Sequence, residues 1–116
     1  MDKFQICQGK GFKLTIDGIT LSVQFGMGNY CEKRDYAIGR GKEKEKETDC
    51  WESTNAEIAV WDESNVWITK RVVKDVLKET LGDEVMGWVT PYQVGKIIAW
   101  MTKRAKRNQT KKEKGD

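Results

Sequence analysis

The residues best suited to chemistry lie in one stretch, residues 22–34, reading SVQFGMGNYCEKR. Gly26 and Gly28 tolerate positive φ, so successive N–H groups there can converge on one concavity of the kind that cradles anions. Asn29, Tyr30 and Arg34 would stand at its rim, although a plain β-turn uses the same residues. Trp100 and Arg104, four apart on a helical stretch, form a second candidate. That spacing suits a guanidinium–indole contact, a clasp on a phosphate or a sandwich around an aromatic base. A third cluster, Trp61, Trp67 and Trp88, has the surface to stack a base, while core packing is the commoner use of indoles in a small domain. The acidic set Glu57, Asp62 and Glu63 has the groups for acid–base or metal work, yet Asp62 and Glu63 fall where a turn wants polar residues anyway.

Other chemistry is excluded by composition. With no histidine among 116 residues, neither Ser-His-Asp nor Cys-His nucleophile systems can be assembled within the chain. Cys7, Cys31 and Cys50 lack the paired spacing of a zinc knuckle, and an odd count fits reduced thiols better than a disulfide framework. No metal or cofactor is expected. No Walker loop or calcium loop is present, so a non-enzymatic role is expected. The N-terminus has no apolar leader and no stretch reaches membrane-spanning length, which makes the cytosol the expected location.

Charge is uneven along the chain. The formal net charge is only +3, but residues 96–116 hold eight Lys or Arg against two acids, leaving the rest net acidic. A basic end of this kind attracts phosphate backbones, and direct nucleic-acid binding is therefore the second reading.

These residues need a scaffold, and the alternation of apolar positions supplies one. Phe4 and Ile6 mark a first short strand. Phe12, Leu14 and Ile16, then Asp17-Gly18, then Ile19, Leu21, Val23 and Phe25 read as a hairpin on a two-residue turn. That register sets Ile16 opposite Ile19, Leu14 opposite Leu21 and Phe12 opposite Val23, with all six on one face. Residues 40–49 form a charged tract with nothing to bury and read as a solvated loop. Residues 56–61 alternate again, and pairing Trp61 with Val66 across a four-residue turn predicts a second hairpin, apolar on both faces and covered on two sides.

Beyond Thr69 the period becomes helical. Val72, Val73, Val76, Leu77 and Leu81 form one stripe ended by Gly82. A short apolar piece, residues 85–89, precedes a second helix with Thr90 as N-cap, Pro91 in the first turn and Gln93 completing a capping box. The expectation is one α+β domain over residues 1–108: an N-terminal antiparallel sheet of about five or six strands, then two C-terminal helices. Residues 109–116 read as a disordered basic tail.

Three segments, SVQFGMGNYCEKR, AEIAVWD and TPYQVGKIIAWMTKRAK, resemble the short phage proteins of the Thoeris anti-defence sponge family across nearly the whole chain. The resemblance implies an antiparallel sheet with two C-terminal helices, assembled as a homodimer or dimer-based hexamer in the host bacterial cytosol. It also implies a non-catalytic protein that holds cyclic ADP-ribose isomers, and in some members cyclic oligonucleotides, intact between subunits. Carried onto this chain, Arg34 and Arg104 would be phosphate clamps, Tyr30 and Trp88 aromatic surfaces, and Asn29 a reader of a polar edge.

Overall fold

The structure is a computed structural model that describes residues 1–7, 10–26, 30 and 52–113. Asn29, Arg34, Cys31, Cys50, the 40–49 tract and residues 114–116 lie outside the described residues. Five strands, β1 (Lys3–Cys7), β2 (Gly11–Ile16), β3 (Ile19–Gln24), β4 (Ala56–Trp61) and β5 (Met86–Val89), form one sheet in the order β1-β2-β3-β4-β5. All neighbours are antiparallel. Helix α1 (Thr69–Val72) runs directly into one π-helical turn (Val73–Leu77), and helix α2 (Pro91–Glu113) closes the described chain. The architecture is α+β, as expected.

The β2–β3 hairpin follows from its turn. Asp17 and Gly18 both take positive φ, 50° and 84°, as a two-residue primed turn requires. Ile16 then pairs with Ile19, Leu14 with Leu21 and Phe12 with Val23, the expected register. Continuing across β4, Leu21 faces Val60 and Val23 faces Ile58. Of these, Ile19, Leu21, Val23, Ile58 and Val60 join Val72, Val73, Met86, Val89, Ile97 and Met101 in one buried core on the helix-facing side, with Phe12 and Ile16 packed against it. Each fully buried aliphatic side chain there contributes roughly 1.5–3 kcal/mol.

The second hairpin is one residue longer than expected. Asp62 Oδ1 accepts the N–H groups of Ser64 (2.9 Å) and Val66 (3.0 Å), and Asn65 takes φ 63°. Trp61 consequently bridges Trp67 instead of Val66. A one-residue slip exchanges the faces. Ile68 enters the core, with its N–H donating to Val60 O at 2.8 Å, and Trp67 joins Trp61 on the opposite side.

Helix α1 begins where Thr69, fully buried, both accepts from Val60 N–H (2.9 Å) and donates to Val60 O (3.3 Å) through Oγ1. Glu84 Oε1 accepts the Lys70 N–H, supplying a partner to a first-turn amide. The helical stretch stops at Leu77, where Lys78 turns left-handed with φ 60°, four residues short of Leu81. Val72, Val73 and Val76 are β-branched and weak helix formers, so the stripe has little to propagate beyond its core contacts.

Helix α2 starts as expected. Gln93 N–H donates to Thr90 Oγ1 (3.2 Å), while Gln93 Oε1 accepts the Thr90 N–H (2.9 Å). It continues to Glu113, so residues 109–113, read from the sequence as tail, are helical. Lys and Gln are good helix formers, and Thr110 Oγ1 donates back to Lys106 O at 3.0 Å.

Candidate functional site

The most unusual local geometry lies where β5 meets β4. Ala56 pairs with Val89 and Ile58 with Met86, so one residue of β4, Glu57, stands against two of β5, Gly87 and Trp88. This bulge lets Met86 and Val89 both reach the core, and the extra residue is turned out. Trp88 takes φ 52°, a left-handed conformation that costs a bulky residue on the order of 1–3 kcal/mol. Trp88 is 52% exposed, while Met86 and Val89 on either side of the bulge are buried.

Tyr30 is seated on this bulge. Trp88 N–H donates to Tyr30 O at 2.9 Å, and the two rings lie nearly parallel, 6.0 Å between centroids and 19° between planes. Gly87 is required beneath: a Cβ there would stand 2.6 Å from Tyr30 Cβ. The Tyr30 N–H donates to the Glu57 carboxylate. Burial raises the Glu57 carboxyl above its ordinary value of 4.5, against the opposing pull of that N–H. Two sequence-predicted residues, Tyr30 and Trp88, are thus brought together, and Glu57 joins them as an anchor.

Trp100 and Arg104 are used differently. Arg104 Nη1 donates to Asp17 O (3.0 Å) and Asp17 Oδ2 (3.3 Å), and Asn108 Nδ2 donates to the same Oδ2 at 2.6 Å. The guanidinium therefore ties α2 to the tip of the β2–β3 hairpin, and Asp2 Oδ1 adds a bond to the Asp17 N–H. Trp100 packs partly against the core and lines an open groove of about 720 Å³ with Val76, Lys96, Lys103 and Lys106. Lysines, not Arg104, are the cations beside this indole.

The remaining candidates separate. Trp61 and Trp67 stack on each other, 5.5 Å between centroids and 27° between planes, away from the helix-covered face. Asp62 is occupied in its own turn, and Glu63 packs beside Gly18. The expected acidic set is not one constellation: Glu57 serves Tyr30, and its role had no signal in the sequence beyond its place in a strand. Among the described residues, no group of three His, Cys, Asp or Glu is arranged to hold a metal ion. Among the same residues, no helix is long and apolar enough to cross a membrane. Comparison with protein-family models, with curated proteins and with solved structures finds no match for this chain.

Proposed function

We propose that this chain is a non-catalytic sponge that sequesters cyclic ADP-ribose-type signals, and by extension cyclic oligonucleotides, in the cytosol of a bacterial host and so blocks an anti-phage defence. The observation that carries this reading is the exposed Tyr30–Trp88 pair, held by a backbone hydrogen bond on a strained bulge. A fixed aromatic surface suits an adenine ring, whose stacking on such a platform is worth roughly 1–3 kcal/mol. Asn29 and Arg34, one and four residues from Tyr30 in the chain, supply the polar-edge and phosphate contacts in this proposal. Sequestration requires tight binding and no bond breakage.

An assembly of identical chains belongs to the same proposal. Phe4 and Ile6 are 80% and 90% exposed on β1, the strand at the edge of the sheet. An apolar edge of this kind favours burial against a second copy. Arg104 donates to Asp17 through Nη1 and contributes to a phosphate site through the donors that Asp17 does not take.

Calorimetry against cyclic ADP-ribose isomers and cyclic oligonucleotides tests the reading, followed by heat denaturation and recovery of the ligand. Stoichiometric binding with unaltered ligand is expected. Silence against every such ligand, or release of a cleaved product, overturns it. Trp88→Ala and Arg34→Ala should each weaken binding by about 2 kcal/mol.

The second reading, nucleic-acid binding, is favoured by the Trp100 groove and its three lysines on a helix that extends to Glu113. It predicts retardation of single-stranded DNA with a steep salt dependence. A small-nucleotide sponge gives neither.

A further inference from the structure

The side of the sheet turned away from the helices carries a cleft of about 270 Å³ that shares Glu57 with the Tyr30–Trp88 surface but is lined by neither of those rings. Its walls include Lys13, Gln24, Glu57, Trp61 and Trp67. Gln24 and Glu57 are direct partners across β3 and β4, so their side chains rise side by side from the same face. Both are acceptors toward anything in the cleft. The Gln24 amide nitrogen already donates to Ser22 Oγ (2.9 Å) and Cys7 Sγ (3.4 Å), which leaves Oε1 for a ligand. The Glu57 carboxylate accepts the Tyr30 N–H and, as an acceptor-only group, keeps further lone pairs. At one end stand the stacked indoles, with Trp67 47% exposed. Lys13 Nζ lies 5.3 Å from the Trp61 ring centroid, a cation beside an aromatic wall.

We propose that this cleft is a second ligand site, selective for a guanine nucleotide: the base stacks on Trp67, its N1–H and 2-amino donors meet Glu57 and Gln24, and its phosphate draws Lys13. The donor and acceptor arrangement decides the base. Guanine presents adjacent N–H groups on one edge, matching a carboxylate in the bidentate manner. Adenine turns a bare ring nitrogen toward that carboxylate and leaves the half-buried acceptors unpaired, which a hydrogen-bonding site penalises. Uncharged aromatics gain the stack but not the edge. The cleft volume accommodates a base with its sugar at the opening.

The inference stands apart from the sponge reading and fails separately from it. Titrating the full chain with guanosine 5′-monophosphate and, in parallel, adenosine 5′-monophosphate, while following the indole N–H signals by two-dimensional NMR, tests it. The guanine nucleotide should move the Trp61 and Trp67 signals and bind at least about tenfold more tightly than the adenine nucleotide. Glu57→Gln and Trp67→Ala should each weaken guanine binding about tenfold, with a retained cooperative melting transition checking the fold of each. Trp88→Ala should leave it unaltered while weakening cyclic ADP-ribose binding. Equal affinity for the two nucleotides, shifts confined to Trp88 and Trp100, or no saturable shift at millimolar guanine nucleotide overturns the proposal.

Discussion

The two faces of this sheet are built from the same strands in the same register, yet they answer to different constraints. On one, Ile19, Leu21, Val23, Ile58 and Val60 are almost wholly buried beneath the helices. On the other, Lys13, Thr15, Thr20, Ser22, Gln24 and Glu57 form a polar layer in which Thr15, Thr20 and Ser22 are themselves buried, with the Thr15 and Thr20 hydroxyls 2.8 Å apart. Alternation couples them: the apolar face sets the register, and the register delivers Gln24 beside Glu57 as a consequence. The lesson is that the polar face is positioned by residues whose side chains belong to the opposite, apolar one.

The sharpest way to break this contrast is to truncate each face in turn. Leu21→Ala should destabilise the protein by about 3 kcal/mol through lost transfer energy and a cavity. Ser22→Ala, one residue along, should cost only about 1 kcal/mol, because it removes one hydrogen bond from Gln24. Denaturant melts compare the two, and equal losses would show that the polar face also holds the fold. Next in size, Thr69→Val keeps the shape but leaves the buried Val60 N–H without its acceptor, for a loss of about 2 kcal/mol. A neutral result there would detach α1 from the core-side account.

Arg104→Ala should cost about 1 kcal/mol, since the half-exposed pair with Asp17 is screened by water and one hydrogen bond goes with it. The loss should shrink at high salt. If the variant is fully stable but defective in ligand binding, Arg104 is a clamp first and a clasp second.

The smallest effect concerns Glu57. Its carboxyl holds a proton more tightly when folded, so the folded state binds more protons in the window upward from 4.5. Stability from this group is therefore greatest below that window and declines as pH rises through it. Glu57→Gln should remove the decline, and the difference between wild-type and variant unfolding midpoints from pH 4 to 7 measures it. A wild type that gains on the variant as pH rises would place the dominant influence in the Tyr30 N–H, not in burial.

Local chemistry was legible and distant pairing was not. Asp17-Gly18 specifies its hairpin because the two turn residues and the alternating runs are neighbours in sequence. Thr90 and Gln93 announce a helix start within four residues. Arg104, by contrast, reads as a partner for Trp100 at helical spacing, whereas Asp17, 87 residues away, captures it. The Trp61 register missed by one because a four-residue turn was assumed where Asp62 caps a longer one. The bulge at Glu57 left no mark, since it arises only when β5 docks on β4 and both Met86 and Val89 must face inward. Tyr30 and Trp88 were each singled out as aromatic surfaces, but nothing in their separation indicated that they form a pair.

The left-handed backbone of Trp88 also bears on how the chain would change under different selection. Glycine occupies φ near 50° without strain, so Trp88→Gly should relax the bulge, offset by the loss of a half-exposed ring with little core contact. A screen for thermal stability alone would favour glycine or asparagine at this position, and a screen for ligand capture would restore the indole. If the proposed sponge reading holds, position 88 is where robustness and recognition pull in opposite directions, and a population released from the need to bind would reveal it first.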